Sequence, residues 1–156
     1  MTSQALRSQV FGTPLWEESS AKPMAVREAK RKEPTEMNVI TKAKDVFKHS
    51  RLMIRSDKHF PKKERFMLVK DIYELSRDIV MKLIAANDYV LADEEQRQLR
   101  LRLQLEAVTA CKNLLFLVEQ AYEENYISGS SCAYWTQLIK DVKNMTLAWH
   151  RKDRQR

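Results

Sequence analysis

The sequence predicts an all-α fold, an up-down-up-down antiparallel four-helix bundle, and three observations carry that prediction. Only two glycines, Gly12 and Gly129, occur in 156 residues. No proline follows Pro61, so residues 62 to 156 suit long helices and fit badly with turn-rich β architecture. Apolar residues recur at spacings of three and four in four successive segments. The length is that of one domain, and 44% hydrophobic with 31% charged residues is enough to bury a core.

Residues 1 to 35 hold three of the four prolines and show no sustained periodicity, so they read as a tail or linker. Val10, Phe11, Leu15 and Trp16 cluster within it, and Arg27, Lys30, Arg31 and Lys32 form a basic patch. The apolar cluster either docks on a partner or its own domain, or belongs to a disordered leader. The bundle spans 36 to 152, and 153 to 156 form a basic end.

Helix one starts near Thr35 and carries Val39, Ile40, Ala43, Val46, Phe47, Met53 and Ile54 at helical spacing, with Lys42, Lys44, Lys48, Arg51 and Arg55 between them. The segment Ser56 to Pro61 breaks it, and Pro61 fits the first position of the next helix, where a missing N–H costs nothing. Helix two then shows Phe66, Val69, Ile72, Tyr73, Ser76, Ile79, Val80, Leu83 and Ile84 on its core face and runs to about Asn87. Asp93, Glu94 and Glu95 place three acids at the positive end of a third helix dipole. The alternation of Leu99, Leu101, Leu103 and Leu105 with Arg100, Arg102 and Gln104 imitates a strand. Leu, Arg and Gln are good helix formers, however, and Leu101, Leu105, Val108, Cys111, Leu115, Val118 and Tyr122 continue a helical stripe. Ser128 to Ser131 offers a turn glycine and N-cap hydroxyls. Trp135, Leu138, Val142, Met145 and Trp149 mark helix four.

Sites of bond-making chemistry are missing from the pattern. Two separated glycines exclude P-loop and dinucleotide sites, which need several glycines close together. No histidine has a glutamate three residues before it, as a di-iron bundle requires. Cys111 and Cys132 lie on apolar stripes without a CxxC partner and read as buried core thiols. No G-x-S-x-G elbow is present. The expectation is a protein that is not an enzyme and has no catalytic, metal-binding or cofactor-binding residues. Its longest apolar run, Leu114 to Val118, is far too short to span a bilayer. The N-terminus has no apolar signal region, and two cysteines make no disulfide framework. The chain reads as a soluble cytoplasmic protein without a membrane partner.

Charge is the informative property. Lys and Arg total 28 against 21 acids, for a net charge of +7 and a balance suited to phosphate or to an acidic partner. Residues 58 to 66 contribute four bases against one acid, residues 128 to 156 six against two, and residues 93 to 127 four against seven. The candidate nucleic-acid contacts are Lys62, Lys63, Arg65, Lys70, Arg77, Lys140, Lys143 and Arg151. Solvation alone also accounts for any one of them, and Arg151 with Lys152 complements the C-terminal dipole of helix four. Helices two and four run the same way, so their cations need not share one end. The bases of helix one run alongside both and could join them into a stripe.

The run Phe60-Pro61-Lys62-Lys63-Glu64-Arg65-Phe66, with the helix to Ala86, resembles the Phe-Pro-Lys-x-x-Arg-Phe signature that opens the second helix of the accessory variability determinant family. Gln98 to Leu105, the Tyr126-Ile127-Ser128 turn and Trp149 agree with it, and the resemblance covers roughly residues 37 to 152. Related proteins encoded in ribosomal RNA intervening sequences carry an Asn-Ile-Ala-Glu-Gly-like end to helix two. Here Leu83 to Asn87 has neither the Glu nor the Gly, which favours the accessory-determinant branch. The resemblance implies a four-helix bundle and a non-enzymatic partner of the reverse transcriptase of a diversity-generating retroelement. It further implies a homo-oligomer, a pentameric barrel, whose basic surface engages the polymerase and template RNA. The alternative is a protein-binding helical module whose basic face meets an acidic partner and whose copies associate through spare apolar positions such as Leu99 and Leu103.

Overall fold

A computed structural model describes residues 36 to 156 apart from residue 57. The tail, with its apolar cluster and basic patch, lies outside the described residues. Four helices follow in order: α1 (Glu36–Ile54), α2 (Leu68–Asp88), α3 (Glu94–Glu123) and α4 (Gly129–Gln155). A single 3-10 turn, Lys62–Glu64, precedes α2. No strand occurs among the described residues. Each helix packs on its two neighbours in a closed ring, so α1 touches α2 and α4, while α1 and α3, like α2 and α4, stand at diagonal corners. Contacts that join the late part of one helix to the early part of another, Ser50 with Trp135, Tyr89 with Arg100 and Asp153 with Arg97, show that neighbours run antiparallel. This is the four-helix bundle that the periodicity predicts.

Helix ends follow local chemistry. Asp93 caps α3 by accepting from the Gln96 backbone N–H at 3.0 Å, satisfying one orphan donor of the first turn, while the Gln96 side chain accepts from Val90 N–H at 3.0 Å and ties the preceding loop to the helix. Asn125 closes α3 with φ 66°, and Tyr126 N–H returns to Ala121 O at 2.9 Å, the bond of a Schellman stop. Asn thus supplies the left-handed turn expected of Gly129, which instead opens α4 behind the Ser128 cap. Helix two starts at Leu68 rather than at Pro61. Successive i to i+3 bonds, Glu64 to Pro61, Arg65 to Lys62 and Met67 to Glu64, hold the intervening residues in 3-10 geometry.

The core runs along the bundle axis through Val39, Val46, Ile72, Ile79, Leu83, Leu114, Val118, Trp135, Ile139 and Val142. Several residues expected inside are outside. Phe66 is 80% exposed because it sits in the turn before α2, off the helical stripe. Tyr73 and Ile84 lie at the margin of the α2 stripe, and Leu105 and Tyr122 are also exposed. On α3 the 3.6-residue repeat carries the core line through Arg100, Leu101, Gln104, Ala107, Val108 and Cys111. Leu103 packs against the core rather than standing spare. Cys111 is buried and burial pushes its thiol up to about 12, with Lys143 pulling the other way. Cys132, expected in the core, is only half-buried.

Two polar links tie the helices together inside. The Trp135 Nε1–H donates to Ser50 Oγ at 3.0 Å, joining α4 to α1 where both are buried. Ser50→Ala leaves that indole N–H without a partner and lowers the unfolding free energy by about 1–3 kcal/mol, read as a shift of the urea midpoint at unchanged m-value. The second link lies at the other end. Asp153, set apart by sequence in a basic end but in fact within the last turn of α4, is fully buried and accepts from Arg100 Nε at 2.7 Å and Gln104 Nε2 at 2.8 Å. Arg156 adds a bond at 2.9 Å to the other carboxylate oxygen. Arg100 also donates to Tyr89 O at 2.9 Å and lies 5.0 Å from the Trp149 ring centroid. One carboxylate therefore fastens α3 to the last turn of α4, and Arg100 extends the link to the end of α2.

Candidate nucleic-acid interface

The α1 helix lies between α2 and α4, and its solvent side is cationic. Lys42, Lys44, Lys48, Arg51 and Arg55 are exposed there, with Asp45 as the exposed acid among them. Arg51 and Arg77 converge on the seam between α1 and α2. The rings of Phe47 and Tyr73 meet at 5.8 Å between centroids, Arg51 stands 5.9 Å over Phe47, and Arg77 stands 6.0 Å over Tyr73. The two guanidiniums are steered by the ring faces, an attraction worth about 0.5–1 kcal/mol each at exposed sites. Phe47 and Tyr73 were not legible as site residues, because both were read as core, whereas Arg51 was counted only as one of the helix-one bases.

The loop from α1 to α2 continues this surface at the end of the bundle. Phe60 is buried against Tyr126, with ring centroids 5.5 Å apart. Glu64 accepts a hydrogen bond from the Tyr126 hydroxyl at 2.8 Å, and this bond, aided by burial, raises the phenol to about 12. These two contacts pin the 3-10 turn onto the junction of α3 and α4. The acid of the run is thereby occupied, and Lys62, Lys63 and Arg65 are left exposed.

Of the eight residues singled out by sequence, five share this hairpin: Lys62, Lys63 and Arg65 in the turn, Lys70 and Arg77 on α2. Lys70 pairs with Glu74 at 2.8 Å, which raises the lysine and lowers the glutamate, and Arg77 approaches Asp78 at 3.6 Å. Both pairs are solvent-exposed, and exposed ion pairs are weak enough for a phosphate to displace. Lys140, Lys143 and Arg151 lie on α4, diagonal to α2, so the structure does not bring the eight together. Lys140 and Arg151 share the outer face of α4, whereas Lys143 is half-buried and acts on Cys111 of α3. The α4 cations form a separate group.

The adjacent seam, between α2 and α3, is lined by acids. Asp71, Glu74 and Asp78 line a cavity of about 360 Å³ with Leu75, Asn113, Phe116 and Leu117. Glu74 and Asp78 are also the partners of Lys70 and Arg77, so the acids of this groove border the hairpin cations along α2. His49, in the groove between α1 and α4, packs edge-on against Tyr134 and Trp135 at 5.0 and 5.7 Å, and burial lowers its pKa. Its buried Nε2 has no hydrogen-bond partner among the described residues, and the ring packs as an aromatic. Among the described residues no cluster of three or more His, Cys, Asp or Glu is placed to hold a metal ion. No helix among them is long and apolar enough to cross a membrane.

No family model, curated protein or solved structure matches the chain.

Proposed function

We propose that the chain is a non-enzymatic accessory protein that binds nucleic acid through the basic hairpin formed by α1, the 3-10 turn and α2. The observation that carries this reading is the convergence of cations from two helices and a turn: Arg51 and Arg77 flank one aromatic seam, and Lys62, Lys63 and Arg65 extend it. Phosphate backbones are recognised by such arrays of Lys and Arg, in a manner largely independent of sequence. The resemblance to the accessory variability determinant family adds the rest of the proposal: template RNA as the ligand, a reverse transcriptase as protein partner, and assembly as a homo-oligomer. Leu105 and Phe116, 45% and 56% exposed and sharing the outer face of α3, are apolar surface available to contacts between copies.

The test is a titration of an RNA oligonucleotide with the purified protein over a range of salt concentrations. Binding that weakens steeply with salt, and weakens more on loss of the hairpin cations than on loss of Lys140, Lys143 and Arg151, supports the reading. Binding indifferent to salt, or no binding at low salt, overturns it. Sedimentation of the same sample tests the assembly, which a monomer would remove from the proposal.

A further inference from the structure

Phe66 is the most exposed of the large apolar side chains in the described residues, at 80%, and Lys62, Lys63 and Arg65, close to it along the chain, are exposed as well. Its partner in the same run, Phe60, is 3% exposed and packs on Tyr126. The two phenylalanines of one short segment thus have opposite fates: one anchors the turn and the other projects from it. The anchoring is double, because Glu64 also holds Tyr126. The 3-10 turn Lys62–Glu64 leads directly into Arg65 and Phe66, so the exposed Lys62, Lys63 and Arg65 come just before the ring along the chain. None of the residues of this turn is buried. A rigid turn therefore presents one free ring beside cations, with Lys70 one helical turn further on.

Burying nothing, the ring gives no stability that would account for its exposure to water. Positive side chains that track a phosphate backbone, combined with an aromatic face on which a base stacks, form the common device of single-strand recognition. A base in a duplex has both faces covered by its neighbours, so such a ring has nothing to stack on there. We infer that Phe66 is a stacking platform for an unpaired base, and that the hairpin takes single-stranded in preference to duplex nucleic acid. This inference rests on the proposed function and specifies its ligand.

The experiment compares binding of a single-stranded RNA oligonucleotide and of the duplex of the same sequence to the full chain and to Phe66→Leu and Phe66→Trp. Leucine keeps the apolar bulk and removes the ring. F66L is expected to weaken single-strand binding by about 5-fold to 150-fold, the worth of one base-on-ring stack, and to leave duplex binding within about twofold. F66W is expected to restore the single-strand affinity. Circular dichroism and the urea midpoint should not move, since the residue is outside the core. If both ligands bind and F66L changes neither, the stacking inference falls while the phosphate reading stands. If neither binds to the wild type, the proposed function itself falls. Capture of the protein by phosphatidylserine vesicles that F66L abolishes, with RNA binding unchanged, would assign the ring to a lipid surface and overturn the inference. A change of sedimentation coefficient in F66L would do the same by assigning it to contact between copies.

Discussion

Asp153→Ala lowers the unfolding free energy by about 3–5 kcal/mol, the cost of stripping one partner from a buried ion pair and leaving the other uncompensated. Arg100 is the charge left behind. Its guanidinium, buried over Trp149, keeps the Tyr89 carbonyl but loses the carboxylate, and Gln104 loses its acceptor in the same change. Equilibrium urea unfolding reads the effect. Replacing both members of the pair with apolar residues of similar volume, as in R100M/D153L, recovers a large part of the loss, because the desolvation penalty of both charges disappears together. A double variant no more stable than D153A would show that the charges themselves carry the link.

The same carboxylate makes stability depend on pH. Burial pushes Asp153 up, but the bonds from Arg100 and Gln104, the charge of Arg100 and the bond from Arg156 prevail and hold it below its ordinary value. A carboxylate with a lowered folded pKa contributes stability that is fully present above its unfolded pKa of about 3.9 and is lost as pH falls through the folded value. Wild type therefore loses stability on acidification below about pH 4, and Asp153→Asn shows a flatter profile across that window. Parallel profiles for the two proteins would remove Asp153 from the account of acid unfolding.

The second large effect concerns the hairpin. Each phosphate contact to a single strand contributes about 0.7 to the slope of log affinity against log salt. A variant lacking Arg51, Arg55, Arg65 and Arg77, each replaced by Ala, is expected to have a slope shallower by about 3, so wild type and variant converge by about 50-fold between 50 and 200 mM salt. The α4 variant K140A/K143A/R151A serves as the comparison at equal loss of charge per site. An equal slope change per residue in the two variants would place the ligand on both faces and contradict a hairpin site.

The four helices were legible because periodicity reports which face of a helix is buried, and nothing in this chain interrupts it between the turns. What periodicity does not report is polar burial. Arg100 and Gln104 were left off the core stripe and Asp153 was set in the basic end, because each is polar by type, yet each finds its partner across a helix interface that only the packed fold creates. The same rule misplaced Leu105, which the stripe needed only as long as Gln104 was kept out. Phe66 failed for a different reason, since helix two was started at Pro61 instead of Leu68 and so carried the ring onto its core face. For the site, residue type identified Lys62, Lys63, Arg65, Lys70 and Arg77, while spatial grouping was inaccessible. Charge counting along a chain cannot tell that α2 and α4 are diagonal, or that the arginine of α1 lies on the same seam as Arg77.

The placement of Trp135 and Trp149 gives the molecule two optical reporters. One indole is hydrogen-bonded to Ser50 near the start of α4, and the other lies under a guanidinium near its end. With Trp16 also replaced by Phe, emission from Trp149→Phe and Trp135→Phe variants follows the two ends of the bundle separately. Coincident curves would mark a single cooperative transition, and offset curves would reveal which end frays first.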